Sequence, residues 1–248
     1  MGIRKLNYEE EFNNRVAFIK KLLESSHASG IVFGNSGGKD SALVGILCKA
    51  ACDNTVGVIM PCASKRNYGQ DADDGNELSA QFNIETRTVD LTPVREAAMS
   101  EYAKVTDLNN AAITNIAPRL RMTTLYAIAA AENRLVAGTG NRSEIYMGYF
   151  TKWGDGASDF DPISDLTASE IFEFLEYLNA PRSIIDKAPS AGLFDGQTDE
   201  QEMGVTYAAI DRYLLTGEAS EKDLSIIERY HSRSEHKRKP VTTYENSK

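Results

Sequence analysis

Eight residues, Gly34-Asn35-Ser36-Gly37-Gly38-Lys39-Asp40-Ser41, constrain this chain more than any other stretch. An apolar run, Ile31-Val32-Phe33, precedes them, and a helical pattern, Ala42-Leu43-Val44-Gly45-Ile46-Leu47, follows. A strand, a glycine-rich turn and a helix in that order make a phosphate site. N–H groups of the turn and of the helix N-terminus point at the anion, and the helix dipole adds favourable potential. Glycine lets the backbone approach a phosphate with no Cβ in the way. The plain alternative is an ordinary strand-to-helix turn. A Walker A loop is excluded, because it needs a Gly six positions before its Lys and a Ser or Thr after it. Here those positions are Phe33 and Asp40.

The wording Ser-Gly-Gly-x-Asp-Ser resembles the pyrophosphate loop of the N-type ATP pyrophosphatases. Those enzymes split ATP between its α and β phosphates and attach AMP to a substrate oxygen. The resemblance implies that Ser36, Gly37, Gly38 and Ser41 hold pyrophosphate and that Asp40 reaches a magnesium ion.

Periodicity places the loop in an alternating α/β chain. Phe12, Val16, Ile19, Leu22 and Leu23 recur at helical spacing over 8–24. Strands are predicted at 30–35, 55–60, 86–91 and 134–139, and helices at 39–52, 69–82, from Pro93 with Thr92 as its cap, 118–132, 168–179, 206–216 and 221–235. The helix at 118–132 carries two apolar stripes, which calls for burial in the core or in a dimer interface. Strands alternating with helices predict a doubly wound parallel sheet covered by helices on both faces. Ligands in such sheets bind at strand carboxyl ends. Gly34–Ser41 and Thr139–Glu144 both fall there, which predicts one shared site.

Bulk properties narrow the classes. At 248 residues the chain suits one α/β domain, 1–248, with a basic C-terminal tail from about residue 232. A formal net charge of −9 argues against a nucleic-acid binder that works through broad electrostatics. Cys48, Cys52 and Cys62 form no CxxC pair, so neither a disulfide framework nor a zinc site is expected. No stretch approaches a membrane span, no apolar leader opens the sequence, and the expected location is the cytoplasm.

A second polar cluster, residues 138–159, is too rich in Gly, hydroxyl and charged residues for a core. Thr139 can bond a nucleotide, and Glu144 can join Asp40 at magnesium, since oxygen ligands on separate loops suit that ion. Lys152 can hold a second anion, and Asp155 and Asp159 can handle protons or sugar hydroxyls. The plain reading of this stretch is a solvated loop with a helix cap.

The wording of this cluster, Gly-Thr-Gly-Asn-Arg-Ser-Glu and then Gly-Tyr-Phe-Thr-Lys-Trp-Gly-Asp-Gly, is similar to ammonia-dependent NAD synthetase, a member of the same ATP pyrophosphatase group with the adenine nucleotide alpha hydrolase-like fold. Further stretches agree in order: Arg119-Leu120-Arg121-Met122, Pro189–Leu193, Gly196–Glu200 and Ser234–Arg238. The resemblance implies that Gly34 to Ser41, Thr139 and Ser190 contact ATP and that Asp40 and Glu144 bind magnesium. It assigns Arg119, Lys152, Asp159, His236 and Lys237 to deamido-NAD, and Asp155 to positioning ammonia. It implies a homodimer with the dinucleotide near the subunit interface, which offers the doubly striped helix a partner. The synthetase match uses nearly every residue and leaves no room for a glutaminase domain, so free ammonia is the expected nitrogen donor.

The implied reaction is amidation of deamido-NAD to NAD through an acyl adenylate, with release of AMP and pyrophosphate. The 190–200 segment and the basic tail are expected to close over the ligands. One departure from the family pattern is Ala168, where a Lys usually contacts ATP; Lys39, Lys65 and Arg66 are the candidate replacements. Asn35 and Pro118 also depart from it. Two alternatives stay open: another adenylating enzyme on this fold, such as a tRNA-modifying one, and a nucleotide-binding protein with lost or altered adenylation activity.

Overall fold

The computed structural model describes residues 4–63, 68–187 and 199–244. In chain order these form α1 (Tyr8–Ser26), β1 (Gly30–Gly34), α2 (Lys39–Ala51), β2 (Thr55–Ile59), α3 (Gln70–Phe82), β3 (Glu85–Thr88), α4 (Thr92–Tyr102), α5 (Asn110–Thr114), α6 (Ile116–Glu132) and β4 (Arg134–Ala137). The second half is helical: α7 (Arg142–Met147), α8 (Ala168–Tyr177), α9 (Arg182–Ile185), α10 (Asp199–Met203), α11 (Tyr207–Thr216), α12 (Glu221–Arg233) and α13 (Glu235–Arg238).

The four strands are all parallel, in the order β3-β2-β1-β4. Alternate side chains of β1 serve two cores, as a strand buried on both faces requires. Ile31 and Phe33 pack with α1, α2 and α8, whereas Val32 packs with Val56, Val58, Val136 and the α6 residues Ala117 and Ala129. The doubly wound sheet expected from the sequence is therefore present. The chain leaves β1 towards β2 and β3 and returns to β4 on the other side of β1. That reversal opens a crevice at the carboxyl ends of β1 and β4, the place where such sheets bind ligands.

One close approach fixes how α2 lies on the sheet. A Cβ on Gly45 would sit 2.6 Å from Phe33 Cζ, and Phe33 is fully buried. Gly45→Ala is therefore expected to destabilise the protein by about 1–3 kcal/mol through overpacking, measured by urea unfolding. The same substitution in an open helix would stabilise it.

Element ends differ from expectation where side chains redirect the backbone. Helix α4 includes Thr92 rather than being capped by it; Asp90 Oδ1, two residues earlier, accepts the Thr92 N–H at 2.9 Å. Helix α6 starts at Ile116, two residues ahead of Pro118. β3 ends at Thr88 and β4 at Ala137, since the chain beyond each turns into the loops around the crevice. The helical pattern predicted over 221–235 breaks at Ser234, whose Oγ bonds back to Tyr230 O at 2.6 Å. Helix α6 buries Ala117 and Ala129 on the sheet and Pro118 at the cleft, but leaves Thr123, Ala127, Ala130 and Ala131 exposed.

Candidate active site

A cleft of about 1910 Å³ opens at the crevice. That exceeds the roughly 300–1,000 Å³ of a one-ligand pocket, so two ligands fit side by side. The glycine loop forms one wall: Gly34, Asn35, Ser36, Gly38, Lys39, Asp40 and Ser41 all line it. Gly37 has φ +67°, and a Cβ there would lie 2.2 Å from Asp71 O, so only glycine fits against α3. Ser36 and Ser41 hydroxyls meet at 3.0 Å, and Ser41 Oγ donates to Gly38 O at 3.0 Å. Helix α2 begins at Lys39, and its N-cap, Gly38, has no side chain to cap the helix, so the helix start at the cleft carries no N-cap bond. A strand end, a φ-positive glycine and an uncapped helix N-terminus together make an anion cradle.

Other residues brace this loop. Asn35, 2% exposed, donates from Nδ2 to Gly75 O at 2.9 Å and to Ser79 Oγ at 3.2 Å. Its side chain thus ties the loop to α3. Lys187 Nζ donates to Gly37 O at 3.1 Å, Asp71 Oδ1 at 2.7 Å and Asp74 Oδ2 at 2.7 Å. Lys39 Nζ donates to Lys187 O, and burial lowers its pKa.

The opposite wall carries Gly138, Thr139, Gly140, Asn141 and Glu144, so the two sequence clusters do meet in one cleft. Asn141 caps α7: its Oδ1 accepts Glu144 N at 2.9 Å, while Glu144 Oε2 accepts Asn141 N at 3.1 Å. Across the cleft Asn141 Nδ2 donates to Asp40 Oδ1 at 3.2 Å. Burial pushes Asp40 up to about 6 despite that bond. Glu144 is raised as well, by burial first and by Asp40 second. Two desolvated carboxylates that disfavour each other's charge fit a divalent cation between them. Among the described residues no group of three or more His, Cys, Asp or Glu stands ready for a metal. Magnesium suits such a two-carboxylate site, because it takes its remaining oxygens from phosphate and water.

Asp155 also lines the cleft, with Oδ1 accepting Thr151 N at 2.9 Å. The residue is exposed to solvent at the cleft. Desolvation by the protein around it nonetheless raises its pKa. Arg119, Lys152 and His236 gather at the rim through main-chain oxygens. Arg119 Nη2 donates to Lys152 O at 3.4 Å, and Lys152 Nζ to His236 O at 2.6 Å. None of these three side chains lines the cleft, whereas Lys237 does; its Nζ donates to Gly148 O at 2.8 Å and Phe150 O at 2.6 Å. Asp159 lies apart, its Oδ2 accepting Val136 N at 2.8 Å and its Oδ1 the Tyr126 hydroxyl at 3.2 Å. Ser190, Lys65 and Arg66 fall outside the described residues, as does most of the 190–200 segment.

The model of the NAD synthase family matches residues 11–247. The chain belongs to this family. It is 45% identical to the NH(3)-dependent NAD(+) synthetase of Carboxydothermus hydrogenoformans, over 95% of this chain and 97% of that protein. Among solved structures it is similar to the NMN synthetase of Francisella tularensis, with TM-score 0.91, 42% identity and coverage of 97% and 99%. It is also similar to the NH3-dependent NAD synthetase of Campylobacter jejuni, with TM-score 0.79, 30% identity and coverage of 97% and 100%.

Within this NAD synthase fold, several cleft residues escaped the sequence reading. Asp161 lines the cleft and accepts Gly140 N and Ile163 N, each at 3.0 Å; burial pushes it up to about 6. Its signal was Asp161-Pro162, a turn initiator. Arg121 lines the cleft two positions after the expected Arg119, with Nε donating to Met60 O at 3.2 Å. The spacing Pro118, Arg121, Met122, Leu125 puts all four on one helical face, a signal that α6 presents them together. Asn141 was visible as the first residue of an Asn-x-x-Glu cap. Lys187 had no local signal, since its partners lie more than a hundred residues away.

Proposed function

We propose that the protein amidates deamido-NAD to NAD with ATP and ammonia, releasing AMP and pyrophosphate. The observation that carries this reading is the meeting of the anion cradle and the Asp40–Glu144 pair in a cleft with room for two nucleotides, in a chain of this family. The nicotinate carboxylate is a poor electrophile until activated. Its oxygen attacks the α-phosphorus, giving an acyl adenylate, and pyrophosphate departs into the loop. N–H groups at Ser36–Ser41 stabilise the charge that develops there. Asp40 and Glu144 are the residues to hold magnesium, which when bound neutralises charge on the phosphates. Thr139 and Ser190 complete the ATP contacts. Arg119, Lys152, Asp159, His236 and Lys237 are the residues to take the dinucleotide. Ammonia then attacks the activated carbonyl and AMP leaves. The names of the curated relatives support ammonia as the donor.

Asp155 takes the proton that ammonium must lose. Asp155→Asn is expected to lower the rate at limiting ammonium by about 10²–10⁴. The deficit should shrink as pH rises and more of the donor is already deprotonated; a deficit constant across pH would remove Asp155 from this role. The exposed small-residue strip of α6, beside Arg119, supports a homodimer, which sedimentation would test. No described helix is long and apolar enough to cross a membrane, and we assign the enzyme to the cytoplasm.

A second reading makes nicotinate mononucleotide the acceptor. The likeness to the NMN synthetase structure favours it. So does the way Arg119, Lys152 and Lys237 spend their charge on main-chain oxygens, at the rim where a second nucleotide half would sit. One experiment decides. Deamido-NAD and nicotinate mononucleotide are supplied in parallel with ATP, magnesium and ammonium, beside a glutamine-only control, and the amide product is quantified. NAD from the dinucleotide at the higher kcat/KM supports the first reading, and the reverse ranking supports the second. Absence of AMP and pyrophosphate with either acceptor overturns both.

A further inference from the structure

Asn141 does more than an N-cap requires. A cap uses one side-chain oxygen, and Asn141 Oδ1 fills that duty by accepting Glu144 N at 2.9 Å. Ser, Thr or Asp would cap as well, yet none of them carries an N–H donor. The amide caps α7 with one atom and donates across the cleft with another, Nδ2 to Asp40 Oδ1 at 3.2 Å, whereas a hydroxyl would have to do both from the single atom at the cap. Asp40 and Asn141 are 101 positions apart, on opposite sides of the topological switch, so local structure does not dictate the bond. The residue is 2% exposed, so its rotamer is held by packing and by these bonds. Its backbone N–H meanwhile holds Glu144 Oε2 at 3.1 Å. One residue thus fixes one oxygen of each carboxylate.

We propose that Asn141 is the positioning residue of the Asp40–Glu144 pair, its amide setting the two carboxylates at the separation a divalent cation needs. This rests on the reading that the pair holds that cation. Without the amide, the carboxylates are left to their own repulsion in a desolvated cleft and drift apart. Groups that orient metal-ligating carboxylates typically change metal affinity by about 10–100-fold when removed.

The test uses Asn141→Ser and Asn141→Thr, which keep a capping oxygen and remove the Nδ2 donor, leaving only a hydroxyl held at the cap. Asn7→Ser, at the distant α1 cap where Asn7 accepts Glu10 N, is the control. Mn²⁺ binding in the presence of α,β-methylene ATP is titrated by the loss of the free-ion EPR signal, beside urea unfolding without ligand. The expected result is Mn²⁺ affinity lowered about 10–100-fold in both Asn141 variants, with unfolding midpoints matching the control and nucleotide affinity without metal unchanged. Unchanged Mn²⁺ affinity in a folded variant overturns the proposal. If one variant fails to fold, the other is read alone. Should both unfold where the Asn7 control does not, Asn141 is a structural cap and the proposal falls. If the unsubstituted protein takes up no Mn²⁺ with the nucleotide, the metal reading itself fails, an outcome distinct from loss of positioning.

Discussion

Asp40→Asn is expected to reduce kcat/KM for pyrophosphate release at least about a thousandfold while making the ligand-free protein more stable. The loss follows from the proposed role. A group that helps neutralise a transferring phosphoryl is worth several kcal/mol, and each ~1.4 kcal/mol is a decade in rate. The gain follows from burial. Asp40 titrates near 6 in the ligand-free fold instead of the ordinary 3.8, because the cleft desolvates its charge. A raised carboxyl pKa means that the folded state binds the proton more tightly than the unfolded chain does. Stability from this group is therefore full below about pH 4, falls as pH climbs from about 4 to 6, and stays reduced above that. The penalty at neutral pH is on the order of 1–3 kcal/mol.

Asparagine does not titrate, and its Oδ1 can still accept the Asn141 amide. Urea unfolding without nucleotide should show the variant more stable than the native protein at pH 7.5, with the gap closing towards pH 4. Magnesium and ATP should reverse the ranking, since they stabilise only the protein that binds them. If the variant is inactive and no more stable at pH 7.5, Asp40 is not a charge held at a cost for the reaction.

Much of this site was legible because its parts are local. Gly34–Ser41 announces itself by strand, glycines and helix within a dozen residues. The Asn141–Glu144 cap is a four-residue pattern. Both clusters sit at strand ends, so the parallel-sheet reading alone brought them together. What the sequence concealed was long-range. Lys187 reaches Gly37, Asp71 and Asp74 across more than a hundred residues. Arg121 could be told from Arg119 only once one face of α6 was seen to turn to the cleft. The bonds of the Asp159 carboxylate to Val136 N and the Tyr126 hydroxyl are likewise long-range and left no local signal. The docking of Lys237 and Arg238, within the basic tail from about 232, on main-chain oxygens around the end of α7 was also not visible in the sequence. A cation satisfied by carbonyls leaves no mark in composition or periodicity.

Lys187→Ala is expected to be the most destabilising single substitution near the cleft, at about 3–5 kcal/mol, the usual cost of removing one partner from a buried ion pair. The Lys187 side chain is 14% exposed, Asp71 12% and Asp74 2%, and each Nζ–Oδ distance is 2.7 Å. Without the ammonium, two buried carboxylates on one turn of α3 lose the cation that both of them bond. Replacing the lysine costs more than the pair itself contributes, because the desolvated acids remain. The effect should reach function through Gly37, whose carbonyl accepts the same ammonium at 3.1 Å and whose backbone lies against Asp71. Lys187→Ala should therefore weaken ATP binding as well as the fold. Adding Asp71→Asn and Asp74→Asn to the lysine variant separates the two effects. The triple variant should recover most of the stability, since neither carboxylate that the ammonium bonded is left charged. ATP affinity should stay low, because the link to Gly37 O is still missing. Recovery of both would mean that the ion pair matters only for stability and that the loop holds its shape unaided.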